Sequence, residues 1–411
     1  MTYSKAIIPV TEAGEEPFSI EEVFFSRTDK RGVIRSGNAV FHRVAGYGWD
    51  KLIGAPHRII RNPDMPKAVF WLLWKTIQAD SPMVAYVKNQ SVSGRWYWVL
   101  AVVVPLADGY LSAGIKPGTA LLAQIKALYS EVQAAEQSLT VEKAADLLVE
   151  RLSDLGFATY SDFASQALQQ ELAARDTAIG EANHLQARVL ANLGSVLDAM
   201  RAKQADLNSE FQALQSIPTN MRIIASRLEP SGGPISAISD NYKYASAEIS
   251  HRLEAFAGSD NNMCKSMSDI VRQAMSVSAI ARLLSEVRSC FDGEVRSDSP
   301  VRAVDEQLRL KALSEKYLSD ARDSMMRAVQ VSGELNVASG EIRRMMLGLD
   351  TIRVMGRVES GRLGPAGVGL SATIDQLDTR HARIADLLQG LMDLSANAKA
   401  GINAYIRQVR G

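Results

Sequence analysis

The sequence predicts two architectures in one chain: an α+β N-terminal domain, a five-stranded antiparallel sheet with helices, followed by an all-α elongated antiparallel helical bundle or coiled coil. Three observations carry this. All five tryptophans (Trp49, Trp71, Trp74, Trp96, Trp98) precede residue 100. Eight of the thirteen prolines lie at or before Pro117, and none lies between Gly118 and Ile217. Beyond that, apolar residues recur in alternating steps of three and four, the spacing that lines one face of paired helices.

In the first domain, Phe24–Asp29 and Gly32–Arg35 read as two strands across a turn built on Asp29-Lys30-Arg31-Gly32. Helical pieces follow at Asn38–Val44 and Met65–Gln78. Three more strands, Val84–Asn89, Trp96–Leu106 and Tyr110–Lys116, are separated by Ser93-Gly94 and Ala107-Asp108-Gly109. In Trp96-Tyr97-Trp98 the alternation of a strand sets the two tryptophans on one face and Tyr97 on the other, each face a candidate for core, interface or cofactor wall.

In the helical half, Leu190, Leu193, Leu197, Met200, Gln204, Leu207, Phe211 and Leu214 keep the 3,4 step, as do Ala328, Val331, Leu335, Ala338, Ile342, Met345, Leu349 and Ile352. Met263, Met267, Ile270, Ala274, Val277, Ala281 and Leu284 make a third run. Leu370, Ile374, Leu377, His381, Ile384, Leu388, Leu391, Ser395, Ala398, Ile402, Tyr405 and Val409 make the longest, about 40 residues or roughly 60 Å of helix. His381 thus sits at a core position, where a polar layer that sets helix register is expected. The resulting division is an extension (1–23), the α+β domain (24–117), a helical connector (118–176) and two helical hairpins (177–297 and 298–411), with Pro300 between the hairpins.

Composition excludes several functions. Lys plus Arg balance Asp plus Glu at 46 each, so the basic footprint of a nucleic-acid binder is missing. Cys264 and Cys290, far apart and without a nearby histidine, build neither a disulfide framework nor a zinc site. No apolar run is long enough for a membrane span. The first ten residues are too short an apolar run, followed by too much acid, for a signal peptide, so a cytoplasmic protein is expected. Without a nucleophile elbow, P-loop, zinc-protease motif or paired carboxylates, no enzymatic activity is expected.

The order of two strands, a helical insert and three strands is that of a PAS fold, whose sheet and helices enclose a pocket. Within it, Arg61-Asn62-Pro63-Asp64-Met65-Pro66-Lys67, with Gly54-Ala55-Pro56-His57 before it and Phe70, Trp74, Val87-Lys88-Asn89 and Tyr97-Trp98-Val99 after it, closely resembles the PAS domain of the bacterial aerotaxis receptor family. The family's usual His and Trp are here Asn62 and Met83. The resemblance implies non-covalent FAD, redox or oxygen sensing, and cofactor-binding residues at Asn38, Arg61, Asp64, Phe70, Asn89 and Tyr97. A haem alternative would have only His42 and His57 as axial ligands.

In the helical half, Thr219-Asn220-Met221-Arg222-Ile223-Ile224-Ala225-Ser226-Arg227-Leu228-Glu229 and Glu359-Ser360-Gly361-Arg362-Leu363-Gly364-Pro365-Ala366-Gly367 resemble the signalling tip of methyl-accepting chemotaxis receptors, in two degenerate copies. This implies signalling tips at Thr219, Asn220, Glu229, Glu359, Arg362 and Gly364. It implies as partners chemoreceptors, a coupling adaptor and a histidine kinase of a chemosensory array, or a second copy of the chain. The rival expectation is a structural or adaptor protein with an empty PAS interaction module and a scaffold bundle.

Overall fold

A computed structural model describes residues 14–180, 185–228, 233–258, 262–293 and 301–409. Most of the expected N-terminal extension, together with Glu229, Pro230 and Pro300, lies outside the described residues. The chain divides into two compact units: residues 1–187 with 272–322, and residues 188–271 with 323–411. Residues 272–322, which the heptad reading assigns to the two hairpins, pack in the unit that contains the sheet.

That unit is built on five antiparallel strands, β1 (Val23–Asp29), β2 (Ile34–Gly37), β3 (Met83–Gln90), β4 (Trp96–Leu106) and β5 (Gly109–Ile115), in the order β2-β1-β5-β4-β3. The second strand starts later than its sequence suggests because the turn before it is longer. Asp29 Oδ1 accepts the amides of Arg31 and Val33, and Gly32 takes φ +76°.

Between β2 and β3 run α1 (Ala39–Ala45), α2 (Trp49–Leu52), a 3-10 turn (His57–Ile60) and α3 (Lys67–Gln78). Asn38 caps α1: its Oδ1 accepts the amides of Phe25 and Phe41, and its Nδ2 donates to the Val23 carbonyl. Gly46, at φ +73°, ends that helix. Pro66 supplies a fixed φ where α3 begins. On α3, Phe70, Leu73, Trp74 and Ile77 fall on one face, three and four residues apart.

The other side of the sheet is covered by the chain's own helices. Trp98 meets Tyr129 of α4 (Leu121–Ala135), Tyr86 meets Phe163 of α6 (Tyr160–Ala178), and Phe25 meets Phe291, just after α10 (Met263–Cys290). Between α4 and α6, α5 (Val141–Asp154) packs on α3. Fully buried Glu171 of α6 accepts the Tyr86 hydroxyl (2.7 Å), the Thr119 hydroxyl (2.6 Å) and the Gly118 amide (2.6 Å). This carboxylate ties β3 and the end of the sheet domain to the connector; burial raises its pKa and the three donors pull it back.

The second unit combines most of α7 (Leu185–Gln215), α8 (Ile217–Ser226), α9 (Gly233–Ala257), the start of α10, the latter part of α11 (Ala303–Arg362) and all of α12 (Val368–Val409). Its pairings are antiparallel. Gln204, Gln215 and Arg222 bond Ala257, Ser250 and Asp240, while Ser332, Arg343 and Arg357 bond Ser395, Gln389 and Asp375. Both helical reversals lie at one end: a Cβ on Gly356, shortly before the second reversal, would touch Ile238, shortly after the first.

The heptad of α12 is buried from Leu370 to Tyr405, as its spacing predicts. On α11 the expected seam is half right. Ala328, Leu335, Ile342 and Leu349 are buried, but Ser332, Ser339 and Met346 take the places expected for Val331, Ala338 and Met345. The helix is rotated slightly toward its serines, and Ser332 and Ser395 hydroxyls meet at 2.8 Å. The same one-residue displacement recurs on α10, where Cys264, Val271 and Ser278 are buried instead of Met263, Ile270 and Val277.

Close packing requires the glycine that opens β5. A Cβ on Gly109 would overlap the Thr28 carbonyl oxygen of the paired strand. Gly109→Ala should therefore destabilise the sheet unit by about 1–3 kcal/mol, measured as the shift in its urea unfolding transition followed by tryptophan fluorescence.

Candidate cofactor cavity

Strand alternation gives the sheet two faces. Phe24, Ser26 and Thr28 of β1, Val87 and Asn89 of β3, Val99, Ala101 and Val103 of β4, and Tyr110, Ser112 and Gly114 of β5 point to the side covered by α3. Phe70, Leu73, Trp74 and Ile77 close that side, and the space between is a cavity of about 350 Å³. Two mostly apolar walls facing each other make a slot, the shape that takes a flat ring.

The polar groups lie at its rim. Arg61 stacks on Phe70, its guanidinium carbon 3.3 Å from the ring centroid. A backbone bridge joins Arg61 to Asn89 across the gap to β3, which places the Asn89 carboxamide beside that pair. The carboxamide is buried against the cavity and bonds no other described side chain or backbone group. Burial, then repulsion from Arg58, lowers the Arg61 pKa. Among the described residues Arg31 and Arg58 also line the cavity and no Asp or Glu does, while Asp29 pairs with Arg31 from outside the lining at 3.6 Å. A cationic rim without an acid favours an anionic ligand.

His57 completes the wall. Its Nε2 is 2.9 Å from the Ser26 hydroxyl and its ring stacks near Phe41 at 6.0 Å. Burial, and secondarily Arg61, lowers its pKa to about 4.

The six residues expected to touch a cofactor are therefore divided. Arg61, Phe70 and Asn89 meet at the cavity. Asn38 spends its carboxamide on the α1 cap and three backbone groups. Asp64 is exposed and pairs with Lys88 at 2.5 Å. Tyr97 lies on the cavity face of β4 but beyond the cavity, stacked on Phe24 at 5.4 Å and 11°, with its buried hydroxyl unpartnered; burial raises its pKa. Neither Asn62 nor Met83 lines the cavity: Asn62 closes a local turn by accepting the Asp64 amide, and Met83 is buried on β3. Ser26, Trp74 and Tyr110 were missed as wall residues; strand alternation on β1 and β5 and the i, i+4 step from Phe70 to Trp74 were the available signals.

The residues present fit a flavin. The slot accepts a planar ring between α3 and the sheet, Asn89 offers an amide donor and acceptor to its edge, and Arg61 offers a cation to a ring carbonyl or phosphate. Among the described residues no group of His, Cys, Asp and Glu could hold a metal ion.

The strand order and the cavity between the sheet and α3 are those of a PAS-like fold. Over 140 residues of its N-terminal part, the chain is 33% identical to the aerotaxis receptor of Escherichia coli (strain K12). The match covers 33% of this chain and 28% of that receptor, so the chain spans well under half the length of its relative. No protein-family model matches the chain. Among solved structures, the dark and light states of the blue-light photoreceptor Aureochrome1 LOV are each 21% identical and cover 28% of this chain. They cover 86% and 91% of their own chains, with TM-scores of 0.22 and 0.21.

A histidine whose folded pKa is depressed is stabilising in its neutral form above the unfolded value of about 6.5. That contribution, on the order of 3 kcal/mol for His57, is lost as pH falls from about 6.5 to about 4. In His57→Gln the acid-side loss of sheet-unit stability should shrink, as read by tryptophan fluorescence in urea at pH 7.5 and 4.5.

Proposed function

We propose that the chain is a cytoplasmic sensory signal-transduction protein of the chemotaxis and aerotaxis type, in which redox state or oxygen is read through FAD in the PAS cavity. The observation that carries this reading is the acid-free cationic rim, Arg61 stacked on Phe70 beside the unengaged Asn89, at the edge of a flat apolar slot. Bound there, FAD would supply reversible electron transfer. Phe70 and Trp74 on α3 and Val99, Ala101 and Val103 on β4 exclude water from the ring; Asn89 and Arg61 orient its edge. Asn38 acts as a positioning residue, since it fixes α1 against β1, and Asp64 ties the segment after Arg61 to Lys88 of β3. Tyr97 buttresses Phe24.

The route out of the cavity is β1. Ser26 faces His57 inside, while its neighbours Phe25 and Arg27 face Phe291 and Glu306 outside. Arg27 makes a two-pronged bond to Glu306 in the first turn of α11, at 2.8 to 3.2 Å, with side chains 16% and 5% exposed. Asp108 in the β4–β5 turn pairs with both Arg27 and Arg309. The helix so held is 60 residues long and contributes to both units. A shift of β1 on a change in the cavity would thus be passed to α11, and from there to a bundle that one chain assembles from two receptor-like hairpins.

The tips fit this reading. Thr219 and Asn220 are exposed on α8, Glu359 bonds Arg362 at 2.7 Å, and Gly364 turns the chain at φ +55°. Chemoreceptors, a coupling adaptor and a histidine kinase, or a second copy, are the proposed partners. No described helix is long and apolar enough to cross a membrane.

The purified protein is expected to be yellow and to release FAD on denaturation, and Arg61→Ala or Asn89→Ala should lose the chromophore while keeping the tryptophan unfolding transition. Protein that stays colourless after incubation with FAD would leave the empty-module reading. Arg27→Met strands Glu306 unpaired and should cost about 3–5 kcal/mol, with faster hydrogen exchange at 303–310 and unchanged FAD absorbance.

A further inference from the structure

The cavity does not exhaust the buried titratable groups. In the second unit, three helices meet at one polar layer: Tyr242 of α9 is completely buried, and its hydroxyl lies 2.5 Å from Nε2 of His381 on α12. The other ring nitrogen, Nδ1, lies 2.9 Å from Asp350 Oδ1 on α11. The rings of Tyr242 and His381 stack at 5.9 Å and 21°. Layers of isoleucine and leucine lie on either side, with Ile374 and Leu377 toward the reversals and Ile384 and Leu388 away from them.

This geometry prescribes a protonation state. A neutral imidazole can accept the tyrosine hydroxyl at Nε2 and donate Nδ1–H to the carboxylate, so every polar atom in the layer is used. A proton added at Nε2 turns the acceptor into a donor: the tyrosine oxygen can accept it only by rotating its own O–H off the ring, and that O–H is then left without its partner inside a core of isoleucine and leucine, at a cost that loosens the layer.

We propose that this layer is a proton-operated lock: neutral His381 holds α9, α11 and α12 in register, and its protonation releases them, giving the helical unit a pH input separate from the cavity.

The charges around the layer do not cancel the effect. Asp350 favours the protonated ring, but it is shared with Arg353, which also pairs with Asp378 of α12 and opposes the added charge. Arg357 draws further on Asp378 and on Asp375. On α7, Glu210 is occupied by Arg380 and Arg383, and on α8 Arg222 pairs with Asp240 of α9. Desolvation is the largest influence on His381 and lowers its pKa. The sign follows: packing stability is complete above the unfolded value of about 6.5 and is lost as pH falls from there toward the lower folded value.

The test compares full-length wild type with His381→Gln, whose amide can accept from Tyr242 and donate to Asp350 but cannot titrate. Hydrogen exchange at 238–246, 346–354 and 377–385, corrected for intrinsic rate, is followed from pH 8 to pH 5. Wild type is expected to lose protection at least tenfold in all three segments over that range, while His381→Gln loses less than a third as much on a logarithmic scale. The pH response of tryptophan fluorescence, which reports only on the sheet unit, should be the same in both.

Tyr242→Phe provides the second variant, because it removes the donor that clashes with the added proton; it should also flatten the response. Equal acid-side loss in wild type and both variants, or a His381 side-chain titration by NMR in wild type at or above the ordinary value, would overturn the proposal. If His381→Gln fails to fold, Tyr242→Phe and the NMR titration decide it.

Discussion

Everything in the sheet-containing unit depends on the pleat of β1. Successive side chains of one strand face opposite ways, so a seven-residue segment can line a cavity with Phe24, Ser26 and Thr28 while it anchors helices with Phe25 and Arg27. A single-residue slip in register would exchange the two sets, placing an arginine in the apolar slot and a serine opposite Glu306. Pairing to β5 along the whole strand, and the Asn38 carboxamide that bonds Val23 and Phe25, prevent it.

The helical unit obeys a different constraint. Its helices must present a continuous apolar seam, yet serines, a histidine and a buried tyrosine hydroxyl interrupt it. Ser332 with Ser395, and Tyr242 with His381, each satisfy a partner across helices, so polar layers set register where a uniform leucine seam would permit sliding. The cost is a lower apolar area per layer.

How far the sequence could be read follows from what kind of signal each feature leaves. The strands were legible because runs of β-branched and aromatic residues are bounded by glycine-containing turns, and α12 because His381, Ser395 and Ala398 hold its step between leucines. Residues 331 and 338 misled because valine and alanine outrank serine as core residues, and 345 because two adjacent methionines offer no choice, whereas a small rotation of α11 toward Ser332, Ser339 and Met346 is a tertiary choice. In the cavity, Arg61, Phe70 and Asn89 were found by likeness to a motif. The same likeness cannot tell a wall residue from its support, so Asn38 and Tyr97 were read alongside them. Ser26 left no motif, since its bond to His57 joins residues 31 apart in the chain. The packing of residues 272–322 with the sheet was invisible, because Phe291 and Glu306 resemble any other helix residues until Phe25 and Arg27 are brought to them.

The glycines of α11 bear on mechanics. Gly333, Gly340, Gly348 and Gly361 stand where an added Cβ would meet nothing within 4 Å, so neither close approach nor backbone strain explains them. Each lowers helix propensity by about 1 kcal/mol relative to alanine. The helix that Arg27 holds at its start therefore carries four points of weakened helical preference along its length. Alanines at these positions would raise its helical stability.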